Sequence, residues 1–374
     1  MVNVRRYIHE FYLLAKSVGT SGAHNLMRVC MRLNVMKVAY LDALQALQAV
    51  INLTIMSKLT FAILFSLLVH TLQGQTATKI FTTDIDNFWN AYDSVQTIKD
   101  TTKQAQFIQQ LYLDKATDGL KDFMVTRRHS AQRHLNNILK NPKFWVSVRP
   151  HTLQIKSYTT DIEEVMLRFK KLYGSFKQPT VYFTIGCLNS GGTISDGKIL
   201  IGSEIATADS SVDASELGPW LQGVFKSNNS VVSAVAHEVG HTQQNLDEAE
   251  ADSTLHLLGW CIQEGVCDFI AELLLQKPIK SGYMTYGKAN EKEVWKIFEK
   301  EMNGHNIKDW LYNSGKAPSG CADLGYFVGY IICKSYYENS KNKKHALKEI
   351  IELQYTNESI LKFLETSRYQ DKWK

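Results

Sequence analysis

The sequence lacks the cysteine patterns that mark several classes of small protein. Its six cysteines in 374 residues form no CxxC pair and no Cys/His spacing typical of a zinc ribbon. Cysteines so few and so scattered do not make a disulfide framework. We expect most of these thiols to be small buried side chains, with a bridge between Cys321 and Cys333 as the alternative.

An excess of charge of one sign is also missing from most of the chain. The formal net charge is +5, but residues 1–75 hold seven of the 42 basic residues and two of the 37 acidic ones. This leaves 35 residues of each sign in residues 76–374. A neutral body offers no basic surface for phosphate groups, so we expect no nucleic-acid partner.

The apolar run at residues 59–69 is too short for a mature membrane span, because about 20 residues are needed to cross a bilayer. It follows Lys58 and precedes small and polar residues, which is the layout of a secretory signal peptide. We therefore predict a signal peptide at residues 56–75, with translation starting at Met56. Residues 1–55 are then an upstream extension that is not part of the mature protein.

Export is the consequence of this signal segment. We expect a periplasmic or extracellular protein with no stable transmembrane span in its mature form. A basic amphipathic segment before a membrane anchor is the alternative. No cysteine directly follows the apolar run, which argues against lipid attachment at this point.

Apolar residues at helical intervals predict an α+β fold that is mostly helical. The predicted helical regions are residues 82–174, 231–241, 255–276, 291–303, 320–338 and 343–366. Residues 179–186 and 197–204 are rich in β-branched and aromatic residues, and they predict a β-hairpin or an adjacent pair of strands. We expect Pro142 and Pro150 to interrupt helices, and residues 207–230 to form a loop.

Residues 237–241 are His-Glu-Val-Gly-His and match the HExxH motif of zinc enzymes. Positions i and i+4 share one helix face, so His237 and His241 can bind the same cation with Glu238 beside it. Residues 228–230 offer N-cap side chains to a helix that starts directly after them. Chance alone gives such a match in roughly one or two of a hundred sequences of this length, so a helical protein without metal is one alternative.

A catalytic zinc site has three protein ligands and one open position. Glu264, in the apolar segment 255–276, is our candidate for the third ligand, and Glu272 is the reserve. A buried carboxylate without a partner is costly, and a metal ion is one of few partners that remove this cost. Asp268 shares the helix face of Glu264 and is expected to accept the second ring N–H of a ligand histidine. An amphipathic helix with solvated carboxylates is the alternative.

These residues carry a resemblance to known zinc peptidases. The HExxH motif followed by Glu264-x-x-x-Asp268 resembles the gluzincin group, which includes thermolysin and the zinc aminopeptidases. Residues 236–244 and 264–273 are more closely similar to predicted Zn-dependent proteases of bacteria, which are related to the gliding-motility lipoprotein B of Bacteroidetes. Two departures stand out: the gap before Glu264 is longer than in thermolysin-like enzymes, and no lipobox cysteine follows the signal segment.

The resemblance implies a zincin-like core with a small β-sheet, an active-site helix and a second helix that bears a ligand. It implies one Zn²⁺ per chain, held by His237, His241 and Glu264. Glu238 would then act as the general base in the hydrolysis of a peptide or protein substrate.

Two further roles follow from the gluzincin resemblance. An edge strand before the HExxH helix binds the substrate backbone in gluzincins, and residues 197–204 are placed in the sequence to do this; a core strand is the alternative. Peptide hydrolysis also needs a donor that faces the developing oxyanion. Tyr326 is the first candidate, Tyr330 the second and His305 the third, and core packing is the alternative for the tyrosines.

The remaining polar candidates have simpler interpretations. Gly191 and Gly192 would allow a chain to approach the site closely. His256 and His305 are predicted to be surface histidines or hydrogen-bonded histidines and not ligands. His129 and His134 lie among three arginines, which indicates a solvated basic face of a helix.

The sequence as a whole predicts an exported zinc-dependent hydrolase, namely a peptidase. Its domain would span residues 76–374, with a helical part at 76–175, the sheet and zinc-site helices at 176–276, and a helical part at 277–374. The rival hypothesis is a non-catalytic, zinc-holding structural or binding protein of an envelope or motility assembly.

Overall fold

The computed structural model describes residues 78–226, 230–245, 254–313 and 320–374, together with residues 41, 44, 45, 47–54 and 56. The chain divides into two compact units, Met1–Thr76 and Ala77–Lys374. Within the first unit the described residues are helical and exposed. Apart from these residues, the predicted extension and signal peptide lie outside the described residues, and both stay predictions. None of the helices described is both long enough and apolar enough to cross a membrane.

The first half of the second unit is helical, as its apolar spacing predicts. Its helices are α1 (Thr83–Gln96), α2 (Thr101–Leu111), α3 (Asp118–Arg127), α4 (Ala131–Lys140), α5 (Pro142–Leu153) and α6 (Thr159–Leu172). Side chains of Asp100, Thr117 and Ser130 accept backbone N–H groups at the starts of α2, α3 and α4. These caps satisfy donors that a helix leaves unpaired, and they explain why the helices begin there.

Pro150 does not interrupt a helix, contrary to the prediction. Pro142 is the first residue of α5, but Pro150 lies inside it and the helix continues to Leu153. A proline has no N–H, so the carbonyl of Val146 loses its helical partner. Val146 is exposed, so a water molecule can donate a hydrogen bond to this carbonyl instead.

His129 and His134 are buried, at 8% and 0% exposure, so the prediction of a solvated basic face was wrong. The reason is the phase of α4. His134 shares the inner face of this helix with Leu135 and Ile138, while the neighbouring Arg133 points outward. The flanking arginines therefore did not indicate where the histidines lie.

Four strands form the sheet: β1 (Ile80–Phe81), β2 (Thr180–Thr184), β3 (Gly192–Ser195) and β4 (Lys198–Gly202). Their order is β1-β2-β4-β3, with β1 and β4 parallel to β2 and β3 antiparallel to β4. The predicted strands at 179–186 and 197–204 are thus adjacent in the sheet, which is one of the two arrangements that the sequence predicted. They are not a hairpin, because β3 lies between them in the chain and reverses its direction.

The hairpin in this sheet joins β3 to β4. It turns at Asp196 and Gly197, whose φ values are 39° and 70°. Positive φ is strained for most residues but open to glycine, which suits Gly197 to this turn.

The edge strands of the sheet are β1 and β3, so residues 197–204 are not at an edge as expected. β4 pairs with β2 on one side and β3 on the other. Its residues Ile199, Leu200 and Ile201 are fully buried, which is typical of a strand covered on both faces. The outer edge of β3 has no strand partner among the residues described.

The helices after the sheet are α7 (Ser203–Ala206), α8 (Pro219–Phe225), α9 (Val231–His241), α10 (Leu257–Leu275), α11 (Gly282–Ala289), α12 (Glu291–Glu301), α13 (Leu324–Asn339), α14 (Lys343–Ile351) and α15 (Asn357–Ser367). The region predicted as a loop at 207–230 contains α8. The helical region at 343–366 is divided into α14 and α15.

α10 and α13 form the central helix pair of this second half. Gly265 on α10 lies against Gly329 on α13 so closely that a Cβ on either would overlap the other helix's backbone. Cys187, Cys261, Cys267 and Cys333 are buried thiols, as the sequence predicts. Cys333 is a free thiol, so the alternative bridge to Cys321 is not formed.

Candidate metal centre

The HExxH motif lies on α9, whose sequence explains both its start and its orientation. The Ser230 side chain accepts the backbone N–H of Ser233 at 3.2 Å and caps the helix. Valines and Ala236 bury one face of α9. His237, Glu238 and His241 lie on the face that is only partly buried.

Glu264 and Asp268 lie on successive turns of α10 and face α9. Both carboxylates are buried, at 6% and 3% exposure. Glu264 Oε2 lies 3.4 Å from His237 Nε2 and 3.3 Å from His241 Nε2. The two imidazole Nε2 atoms are 3.2 Å apart. The structure therefore brings the three predicted ligands together.

This triangle of atoms has the size that zinc requires. Ligand atoms about 2.0–2.1 Å from a zinc ion at tetrahedral angles lie about 3.3 Å from one another. The three observed separations of 3.2, 3.3 and 3.4 Å match that value. Two imidazoles and one carboxylate also form a common donor set of catalytic zinc. The residues present fit a zinc ion with one open position.

Each ligand histidine is oriented by a hydrogen bond at its other ring nitrogen. His237 Nδ1 lies 2.9 Å from Asp268 Oδ1, and the Tyr283 hydroxyl donates to Asp268 Oδ2 at 3.0 Å. His241 Nδ1 lies 2.8 Å from Gln244 Oε1. A proton on each Nδ1 leaves the Nε2 lone pair free to bind a metal.

Gln244 is itself held in place by two bonds from its amide nitrogen. Its Nε2 donates to the Gln263 carbonyl and to the Tyr355 hydroxyl, both at 2.7 Å. This fixes Oε1 as the atom that faces His241. Asp268 therefore orients the imidazole of His237, and Gln244, held by Gln263 and Tyr355, orients that of His241.

The charges of the centre favour a cation. Burial raises the pKa of Glu264, yet the adjacent His241 and His237 outweigh it and hold that pKa well below its usual range. Burial lowers the pKa of His237, but hydrogen bonds to Asp268 and Glu264 outweigh it and hold the pKa well above its usual value. The carboxylates of this centre therefore favour positive charge at the imidazoles, and zinc would compete with protons for this position.

Glu238 lies beside the triangle and against the edge strand. Its carboxylate makes no hydrogen bond within the part of the chain that is described. Burial raises its pKa, and His241 and His237 act in the opposite direction. A Cβ on Gly192 of β3 would lie 2.5 Å from Glu238 Oε1. Glycine at this position therefore makes the space that the Glu238 carboxylate occupies.

Gly192→Ala is expected to displace the Glu238 carboxylate and to reduce hydrolytic activity by roughly 10- to 100-fold, because misplaced catalytic groups lose much of their effect. Zinc content should stay unchanged, since the three atoms nearest to such a Cβ all belong to Glu238, which is not a proposed ligand. The matched control is Gly174→Ala, whose Cβ would have no neighbour within 4 Å. Full activity of Gly192→Ala in a peptide-cleavage assay would contradict this arrangement.

Tyr326 lies at the centre, whereas Tyr330 and His305 do not. The Tyr326 ring centroid is 6.0 Å from that of His237. Tyr330 is fully buried, and its hydroxyl lies in a separate cluster with Glu272 and Lys334. His305 packs edge-on against His256, with ring centroids 5.0 Å apart.

Tyr312 is a neighbour of the centre that the sequence did not indicate. Its hydroxyl donates to Glu264 Oε1 at 2.5 Å, and its ring centroid is 6.4 Å from that of Tyr326. Burial raises the pKa of Tyr326 well above its usual value, so this hydroxyl stays protonated and can donate. Tyr312 lies 48 residues after Glu264, and no local pattern links the two.

The Cys267 thiol was also not predicted to lie here. Its Sγ is within 4.8 Å of ligand nitrogens of His237 and His241. Sγ packs against Gly240, beneath the helix. Glu264 Oε2 completes a triangle of the right size with the two imidazoles, so Glu264 fits the third position better than Cys267 does.

A cleft of about 1270 Å³ lies next to this centre. Its wall includes Asp323 and the aromatic side chains of Trp220 and Tyr286. It also includes Tyr283, whose hydroxyl donates a hydrogen bond to Asp268. This volume exceeds that of a typical small-molecule site, which is about 300–1,000 Å³. The cleft has room for several residues of an extended chain.

The family model for gliding motility protein GldB matches residues 71–371, which include every residue of this centre. The chain belongs to the gliding motility protein GldB family. Its relation to this family, predicted from residues 236–244 and 264–273, is confirmed. The family is one of lipoproteins, which agrees with the predicted export. No curated protein and no solved structure matches the chain.

Proposed function

We propose that this protein is an exported zinc-dependent hydrolase with a zincin-like core that cleaves peptide bonds. The observation that carries the proposal is the triangle of His237, His241 and Glu264. Its edges match the ligand separations of tetrahedral zinc. Glu238 supplies a carboxylate base directly beside it.

The proposed chemistry divides between the metal and the chain. Zinc held by the three ligands would act as a Lewis acid and lower the pKa of a water molecule toward ~7. Glu238 accepts the proton from the attacking water and passes it to the leaving amine. Its unpaired carboxylate and raised pKa suit both steps. The Tyr326 hydroxyl donates a hydrogen bond to the developing oxyanion and keeps its proton.

The substrate would bind along β3. This strand has a free edge among the described residues, and its Gly192 touches Glu238. An extended peptide can add to such an edge through backbone hydrogen bonds, which places its carbonyl near the base.

Family membership supports a second candidate function. The description of the family names gliding motility, so a zinc-holding component of a motility assembly without turnover is the rival. The two functions differ in cells. A Glu238→Gln chain that restores motility to a strain lacking the protein supports the rival, whereas failure to restore it supports the hydrolase.

Zinc content tests the centre itself. We expect about one zinc at this centre per full-length chain, and its loss in His237→Ala and in Glu264→Ala, because two remaining ligands hold zinc weakly. Elemental mass spectrometry on freshly purified protein measures it. Glu272→Ala is the matched control on the same helix, since Glu272 bonds Tyr330 and Lys334 instead of the centre.

The result also decides between the two carboxylates. Zinc lost in Glu272→Ala but retained in Glu264→Ala would move the third ligand to the reserve position. Wild-type protein whose zinc content is the same as that of His237→Ala, before and after zinc is added, would overturn the proposed function.

A further inference from the structure

A second group of metal-binding side chains lies away from the centre described above. It consists of His129 between α3 and α4, His134 on α4, and Cys187 after β2. One ligand atom from each of the three lies within 4.8 Å of the others. All three side chains are buried, and the function proposed above uses none of them.

Three ring nitrogens in this group have no hydrogen-bond partner among the described residues. They are Nδ1 of His129 and both Nδ1 and Nε2 of His134. His134 is fully buried, so water does not replace the missing bonds at its surface. A buried polar group without a partner costs about 1–3 kcal/mol, so a ligand that binds these nitrogens would remove a substantial penalty.

The remaining ring nitrogen of the two histidines is Nε2 of His129, and its hydrogen bond sets the orientation of that ring. Its Nε2 lies 3.2 Å from Asn189 Oδ1, an acceptor, so Nε2 carries the proton. The other nitrogen, Nδ1, then has a bare lone pair. This is the arrangement by which a hydrogen-bonded imidazole presents a ligand atom to a metal.

Burial disfavours the protonated form of both imidazoles. Burial lowers the pKa of His129 to about 4 and that of His134 to about 3. A neutral imidazole is the form that binds a metal. The group therefore offers two nitrogen ligands without first having to lose a proton.

The Cys187 thiol lies near a buried carboxylate, that of Glu204. Burial, followed by the charge of Glu204, raises the pKa of the Cys187 thiol to about 12. Glu204 is fully buried, and burial raises its pKa to about 7 even though the backbone N–H groups of Gly186 and Leu188 donate to it. No ion pair to Glu204 occurs in the described chain. A divalent cation here would stabilise a thiolate and a carboxylate together.

Glu204 lies close to the imidazoles as well. A Cβ on Gly186 would have Glu204 Oε1 at 2.8 Å and His129 Cε1 at 3.5 Å. Two neutral nitrogens, one thiolate and one adjacent carboxylate balance the charge of a divalent ion. Nitrogen and sulfur ligands select zinc over magnesium or calcium, which prefer oxygen.

We propose that His129, His134 and Cys187 hold a second, structural zinc ion. This ion joins the α3–α4 connection to the segment that runs from β2 to β3. That segment ends at Gly192, against Glu238. The second zinc would thus hold the segment that leads into the edge strand β3.

Zinc counting on the full-length chain tests this site independently of the first. We expect two zinc ions per chain in wild type, one of which is lost in Cys187→Ser and in His134→Ala. His237→Ala is expected to lose only the other. A chain with one zinc that is lost in Cys187→Ser supports this proposal even where the hydrolase proposal fails.

X-ray absorption at the zinc edge is measured on the wild-type protein, so this test does not depend on whether a variant folds. Wild type is expected to show a sulfur neighbour at about 2.3 Å, because only a thiolate gives this distance. Cys267→Ser is the matched control, since its thiol lies near the first centre, and the sulfur signal should persist in it. Zinc without a sulfur neighbour in wild type, or a sulfur neighbour that Cys267→Ser removes, would overturn the proposal.

Discussion

Glu238→Gln is expected to lower kcat for peptide hydrolysis by roughly two to four orders of magnitude, the usual contribution of a general base. The amide keeps the shape of the side chain but cannot accept a proton. Glu238 is not one of the three ligands, whose atoms form the triangle without it. Zinc content should therefore remain at the wild-type value.

The comparison with Glu272→Gln makes this loss specific. Glu272 receives hydrogen bonds from Tyr330 and Lys334 and lies outside the centre, so its amide variant should hydrolyse peptides near the wild-type rate. Activity on a peptide library and zinc by elemental mass spectrometry are measured on both proteins. A Glu238→Gln chain that cleaves as fast as wild type would remove Glu238 from the mechanism.

The parts of this centre that the sequence could indicate are local. A spacing of four residues places His237 and His241 on one helix face wherever that helix lies. Glu264 and Asp268 were found because an apolar helix makes a lone carboxylate unexpected. Both arguments need only one element at a time.

The contacts that the sequence did not indicate join elements far apart in the chain. Tyr312 reaches Glu264 across 48 residues, and Tyr355 reaches Gln244 across 111. The contact of Gly192 with Glu238 depends on how β3 packs against α9. No periodicity or spacing encodes such pairs, because they arise only when the elements assemble.

The same distinction between local patterns and contacts of distant elements explains which parts of the fold the sequence predicted. Helical spacing predicted the helices, including the one over 255–276. β-branched and aromatic residues identified the strands at 179–186 and 197–204, but such content carries no information on strand partners, so the parallel pairing and the edge position of β3 were missed. His129 and His134 were misplaced because neighbouring arginines describe composition, whereas burial depends on helical phase.

Gly329→Ala is expected to lower the free energy of unfolding by about 3 kcal/mol or more, the upper range for added bulk in a packed interior. A methyl group there would overlap the Cys261 carbonyl of α10, and backbone cannot move aside as a side chain can. The two helices would have to separate.

The effect should reach the metal centre, because Glu264 precedes Gly265 at this crossing. A shift of α10 would move Glu264 relative to α9 and widen the ligand triangle, so zinc affinity should fall together with stability. Urea unfolding and zinc content measure the two effects. The matched control is Gly282→Ala at the start of α11, where a Cβ meets nothing within 4 Å and a small gain in stability is expected. If Gly329→Ala unfolds at the wild-type urea concentration, α10 and α13 do not cross as closely as described, and the position of Glu264 would lose its structural basis.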